Sequence, residues 1–217
     1  MTHSPSTRPK RAALALACAG VLAGSLGISA GAHATGTSTA RQPVVRMDDL
    51  LHPADVAGAF AVAGTTTSRV GAGNGDFGLS GCTGETRTSD VVGSGAHLFH
   101  EVVTGAVGGG GSRFTVRQHV ADQRSSARAA TTYRALLRAV RECQHEPAGH
   151  WRYGAAHRLT TGGGTATWMT TIDGDGSRVG GVLVARSGRH LAVVEALGAG
   201  TSGHVQRLAA DTLSRLR

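Results

Sequence analysis

Lysine is almost missing from this sequence. Lys10 is the only one among 22 basic residues in a chain of 217. With Ala and Gly so abundant, arginine in place of lysine is the usage of a GC-rich genome, and it weakens the net charge of +8 as a sign of nucleic-acid binding. Ready-made catalytic motifs are also missing. There is no Gly-x-Ser-x-Gly elbow, no phosphate-cradling loop ending in Gly-Lys-Ser/Thr, and no His-Glu-x-x-His. The nucleophile, the phosphate site and the zinc site that those motifs supply are thereby excluded in their usual form. Aromatic residues make up only 4% of the chain. Past Gly31 no apolar run is long enough to span a bilayer.

What is present begins with an export signal. Arg8, Lys10 and Arg11 form a basic opening, Ala12 to Gly31 is free of charge, and Ala32-His33-Ala34 is a small-x-small exit. That order predicts a signal peptide over residues 1–34 with Thr35 as the first mature residue. Cys18 follows too short an apolar stretch for a lipoprotein, and Lys10-Arg11 is not a twin-arginine pair. Residues 35–46 read as a flexible leader and 47–217 as a single domain. Removal of the signal takes the net charge from +8 to +5. The expected location is secreted or extracellular, with association to the cell envelope through anionic polymers or lipid head groups as a further option.

Three cysteines occur, and Cys18 leaves with the signal. Cys82 and Cys143 remain, and an even count in an oxidising compartment predicts a disulfide between them. Closing a loop of about 60 residues is worth about 4 kcal/mol in the chain-entropy account. His145, Glu146 and His150 close to Cys143 raise a metal site as the competing reading, but a thiolate ligand needs a reduced Cys143, which export disfavours. No metal and no cofactor is expected.

The pattern predicts an α+β domain in the order α-β-β-α-β-β-β-β-α, mainly antiparallel, with its helices on one face of the sheet. Asp48–Ala61 reads as the first helix, with Pro53 in its first turn. Residues 64–81 read as a Gly/Ser/Thr-rich loop. Leu98–Thr104 and Arg113–Ala121 read as strands, the second alternating Phe114, Val116, Val120 against Thr115, Arg117, His119. Ser125–His145 carries Ala130, Tyr133, Leu136, Leu137, Val140 and Cys143 at helical spacing. Ala155–Thr160, Thr165–Ile172, Arg178–Arg186 and His190–Leu197 read as strands, the last two apolar on both parities, hence central. A final helix runs over Gly203–Leu216.

The remaining candidate sites are few. His97 and His100 would face opposite sides of a strand and cannot share an ion. Asp173-Gly174-Asp175-Gly176 is a hairpin turn rather than a calcium loop, because no downstream Glu stands at the loop spacing. Gly108–Gly111 precedes no helix and so is no phosphate cradle. Two features are left as ligand-binding candidates: Trp151 with Tyr153, which either stack on a ligand or cap the core, and Arg117 with His119, which line a polar groove if their face is uncovered. Arg128, Arg134, Arg138 and Arg141 on the long helix form either an anion-binding face or an ordinary solvated one.

Met47-Asp48-Asp49-Leu50-Leu51-His52-Pro53-Ala54-Asp55-Val56 resembles the opening of the PknH-like extracellular, sensor-like domains of actinobacteria. In order after it come the Cys82 segment, Phe114–Val120, Tyr133–Cys143 and Trp168, then the last two strands and the terminal helix, so the resemblance covers about Met47–Arg217. It implies an α+β sandwich-like domain with an antiparallel sheet, a ligand cleft, and a disulfide from the first segment to the long helix. The chain lacks a kinase domain, a lipobox and the second cysteine pair of some members, so its C-terminal sheet is expected to be less tightly stapled.

The reading is therefore a secreted, non-enzymatic, sensor-like domain that binds an unknown small molecule or cell-envelope component in a cleft on the helix-free face of the sheet. The partner is not nucleic acid, and no transmembrane segment remains after cleavage. The alternatives are an envelope-interaction protein that uses the arginine-bearing helix on anionic polymers and, less favoured, a hydrolase with a buried, pKa-perturbed carboxylate or His cluster in its cleft.

Overall fold

The computed structural model describes residues 44–60, 66–71, 88–93, 96–105, 113–159, 161–198 and 204–216. The chain divides into units Met1–Ser38 and Thr39–Arg217, and every described residue lies in the second. The signal-peptide reading, its cleavage residues Ala32, Ala34 and Thr35, and Cys82 lie outside the described residues.

After a 3₁₀ turn at Met47–Asp49, the described elements are α1 (Pro53–Phe60), β1 (Thr66–Gly71), α2 (Thr88–Val92), β2 (Ala96–Gly105), β3 (Arg113–Asp122), α3 (Ser126–Glu142) with a 3₁₀ turn at Cys143–His145, then β4 (Arg152–Leu159), β5 (Thr165–Ile172), β6 (Arg178–Ser187), β7 (His190–Leu197) and α4 (Val205–Arg215). The strands form one sheet in the order β1-β2-β3-β7-β6-β5-β4. Every neighbouring pair is antiparallel. β4 to β7 are a meander, and β3 joins its inner edge by pairing Arg117 with Glu195 and Val120 with Ala192. The long helix α3 carries the chain from β3, third in the sheet, to the far edge β4.

The α+β class, the antiparallel sheet and the order of the anticipated elements hold. Two elements were not anticipated. β1 lies within the stretch expected to be a loop, and α2 follows it. β1 reads Thr-Thr-Ser-Arg-Val-Gly, which has no apolar alternation to reveal it, and it pairs with β2 through its backbone at the sheet edge. The first helix starts at Pro53, later than expected, because a residue before proline is disfavoured in the helical region. His52 N–H donates to Asp55 Oδ2 at 2.8 Å and so closes the N-terminal turn.

One-sided helix packing does not hold. α1 and α4 cover one face, where Val56, Phe60, Leu208 and Leu213 meet Phe114, Val116, Leu183, Val194 and Trp168. The Phe60 and Phe114 rings have centroids 4.1 Å apart. On the other face, Ala129, Tyr133, Leu136 and Val140 of α3 pack with Val92, Met169, Val182, Val184, Leu191 and Val193. The physical reason lies in β6 and β7, which are apolar on both parities and buried on both faces. A central sheet of that composition needs cover on each side. A cleft on a helix-free face is therefore not available at the sheet centre.

Three local features fix the geometry. Ser125 Oγ accepts from Arg128 N at 3.1 Å and caps α3. In the β5–β6 turn, Asp173 Oδ1 accepts from Asp175 N at 3.2 Å and from Ser177 N at 2.9 Å, while Gly176 takes φ +91°. These aspartates are turn formers, as the sequence implied. Gly181 in β6 lies beneath Trp168, and a Cβ there would stand 2.1 Å from Trp168 Cζ2.

At the N-terminal side, Val44 N–H donates to Asp122 Oδ2 at 2.8 Å and Val45 packs on the core, so the end of the expected leader is already fastened to the domain. Asp122 also accepts two hydrogen bonds from the Arg189 guanidinium in the β6–β7 turn. No helix among the described residues is long and apolar enough to cross a membrane.

Candidate functional site

α3 does not cover its face of the sheet completely. Between α3 and the edge strand β4 a groove of about 370 Å³ opens over β5 and β6. That volume falls in the range of sites for small organic ligands. α3 contributes Ala130, Tyr133, Arg134, Leu137 and Arg141, spaced so that they share one side of the helix. β4 contributes Ala156 and Arg158, β5 Thr165 and Thr167, and β6 Arg186.

Register explains how distant residues meet here. Arg158 stands opposite Thr167, and Thr165 opposite Arg186. A β-bulge between Tyr153 and Ala156 is needed for this arrangement. Tyr153 pairs with Thr171 and Arg158 with Thr167, so both point to the α3 face although they are an odd number of residues apart. The extra residue of a bulge shifts side-chain parity in this way.

The floor of the groove is polar and buried. Tyr133 Oη and Thr167 Oγ1 are hydrogen-bonded at 2.6 Å. Burial pushes the Tyr133 phenol above its ordinary pKa, against the opposing effects of the Thr167 hydrogen bond and the Arg158 and Arg186 charges. The walls carry four guanidinium groups, from Arg134, Arg141, Arg158 and Arg186. Among the described residues, no carboxylate lines the groove and none of these four arginines forms an ion pair. Arg134 and Arg186 make only neutral hydrogen bonds, to Thr131 Oγ1 and to the Gly188 carbonyl, both at 3.3 Å. The result is a concave, uncompensated positive field with an apolar flank of Ala130, Leu137 and Ala156.

The residues singled out from sequence do not assemble into one site. Arg117 and His119 do share a strand face, but it is the α3 face, and His119 is buried. Arg117 Nη1 holds Glu195 Oε2 at 3.4 Å. Burial raises the Glu195 carboxyl above the ordinary carboxylate range, with the Arg117 charge and hydrogen bond opposing. Trp151 is 42% exposed just before β4, whereas Tyr153 is buried against α3 with Met169 and Val182. Neither pair lines the groove. Cys143 is buried at the end of α3, its Sγ 3.2 Å from the Ala139 carbonyl oxygen. No group of three or more His, Cys, Asp or Glu among the described residues is arranged to hold a metal ion.

Of the four helix arginines, Arg134 and Arg141 line the groove, while Arg128 and Arg138 do not. Arg158, Arg186, Tyr133 and Thr167 were not anticipated as site residues. A sequence signal existed for Arg158 and Arg186, since each is a charge on a strand otherwise rich in apolar or small residues. It becomes readable only once the strand order is known.

No protein-family model matches the sequence. No curated protein matches it. Among solved structures, the fold is similar to the crystal structure of the extracellular domain of PknH from Mycobacterium tuberculosis, with a TM-score of 0.51 and 12% sequence identity over 81% of this chain and 97% of that one. At that identity the likeness is one of fold.

Proposed function

We propose that this chain is a secreted, non-enzymatic, sensor-like domain that binds its ligand in the groove between α3 and β4. The observation that carries the reading is an open groove of ligand size lined by four arginines that have no carboxylate partner among the described residues, on a fold similar to that of the extracellular domain of a known protein. Export follows from the N-terminal sequence, and the Cys82–Cys143 disulfide, which would pin the end of α3, belongs to the same proposal. Arg117, His119 and Tyr153 have supporting rather than contacting places in this reading, and the exposed Trp151 lies outside the groove lining.

The envelope-interaction reading draws on one observation. Arg128, Arg134, Arg138 and Arg141 are all exposed on α3, which gives the helix a basic outer surface. It predicts retention on the cell envelope that weakens as ionic strength rises. The hydrolase reading has Glu195 as its buried, raised carboxyl, but Arg117 engages that group and it does not line the groove.

The test is native mass spectrometry of the protein purified from culture supernatant, before and after reduction. The reading predicts a chain beginning at Thr35, a gain of two hydrogens on reduction, and an adduct lost on denaturation. A chain retaining its first 34 residues would overturn the export proposal. Two free thiols would overturn the disulfide.

A further inference from the structure

Arg158 and Arg186 stand out because they converge with Arg134 and Arg141 on one groove without a carboxylate partner among the described residues. Like charges around one concavity repel, and their cost is normally relieved by interleaved carboxylates. This domain does use that remedy elsewhere. Arg189 is paired with Asp122, Arg215 with Asp55, Arg117 with Glu195 and Arg207 with Asp211. The four arginines of the groove are left without it.

Their disposition is not that of a flat basic surface. Arg134 and Arg141 are two turns apart on α3, about 10 Å along its axis. Arg158 and Arg186 rise from strands on the opposite side, with the Tyr133–Thr167 hydroxyl pair between them at the bottom. Guanidinium forks bind oxyanions through paired N–H donors, and of the two floor hydroxyls the one that does not donate to its partner can supply one further donor. The apolar flank of Leu137 and Ala156 gives a carbon skeleton somewhere to rest.

From this juxtaposition we infer that the groove takes a small organic molecule carrying two or more phosphate or carboxylate groups, clamped between the arginines of α3 and Arg158 with Arg186. The inference rests on the groove being the binding site. It adds the chemical class of the ligand.

The experiment is isothermal titration of the mature domain with tripolyphosphate and with citrate at low ionic strength. A long polyphosphate chain serves as the stand-in for an envelope polymer. Two double variants remove equal charge: Arg158→Ala with Arg186→Ala inside the groove, and Arg128→Ala with Arg138→Ala outside it. Thermal melts check that both remain folded. The expected result is 1:1 binding that weakens at least tenfold in the groove variant and less than twofold in the outer one. Preference for tripolyphosphate or citrate over the long chain supports the inference, and preference for the long chain would overturn it in favour of an envelope polymer. Equal losses in the two variants would overturn the inference in favour of diffuse attraction. So would no binding of any of the anions at millimolar concentration. An uncharged adduct in native mass spectra, unaffected by Arg158→Ala with Arg186→Ala but lost on filling the groove by Ala156→Trp, would overturn the anion inference while leaving the groove as the binding site.

Discussion

Replacing Asp122 by asparagine tests how the domain is closed. The Asp122 side chain is 3% exposed and accepts from Arg189 Nε, Arg189 Nη2 and Val44 N. Through these bonds one carboxylate ties the β6–β7 turn and the N-terminal segment to the end of β3. Burial by itself would raise its pKa. The Arg189 hydrogen bonds, the Val44 N–H and the nearby His190 and Arg189 charges outweigh that and hold it below the ordinary 3.8.

The size of the effect follows from what asparagine retains. Asp122→Asn keeps the shape and one acceptor oxygen but loses the charge and turns an amide N–H₂ toward a donor. A charge-assisted hydrogen bond is worth about 1.5–3 kcal/mol, and breaking a fully buried ion pair costs about 3–5 kcal/mol. The Arg189 side chain is 26% exposed and regains some water, so about 2 kcal/mol is expected. For a domain of this length that is a fall in Tm of about 4–8 °C.

The pH dependence has a definite sign. A carboxylate with a lowered folded pKa contributes stability that is complete above its unfolded value and is lost as pH falls through the folded one. The deficit of Asp122→Asn is therefore full at pH 7 and shrinks below the ordinary value of 3.8. Calorimetry or urea unfolding at pH 7 and at pH 3 measures both. Equal stability of the two proteins at pH 7 would refute the clasp. An undiminished deficit at pH 3 would show that packing, and not charge, is responsible.

Glu195→Gln runs the other way. Its carboxyl is raised by burial, so the stability it contributes is complete below the ordinary 4.5 and is lost as pH rises through the folded value. Unfolding of the variant is expected to show a smaller loss of stability than the parent between pH 4.5 and pH 7.5, and a larger loss would contradict the assignment. Gly181→Ala is expected to lower stability by about 3 kcal/mol through overpacking. The clash is with the Trp168 ring and with the Met169 carbonyl at 2.6 Å, and tryptophan fluorescence should shift as the ring moves. An unchanged melting curve would place the ring elsewhere.

Periodicity made much of the fold legible. The stripe on α3 and the alternation of β3 follow directly from side chains that must be half-buried. The Asp-Gly-Asp-Gly turn was legible because its aspartates satisfy local backbone donors. β1 was not, because an edge strand held by backbone pairing needs no apolar face. The two-sided cover was written in Val182–Val184 and Leu191–Val194, whose burial on both faces demands helices on both. The groove was half legible. α3 displays its arginines in plain helical spacing, but Arg158 reaches them only through a bulge that reverses the parity of β4, and Arg186 only through the β5–β6 register. Trp151 and Tyr153 looked like one feature, yet the strand starts between them and buries only the second.

The most direct test of the binding groove is an NMR titration of the isotope-labelled mature domain with tripolyphosphate. The groove predicts amide shifts concentrated between Ala130 and Arg141 on α3, at Ala156 and Arg158, at Thr165 and Thr167, and at Arg186. Shifts centred on Arg117, Glu195 or Trp151, or spread evenly over the exposed arginines, would contradict it.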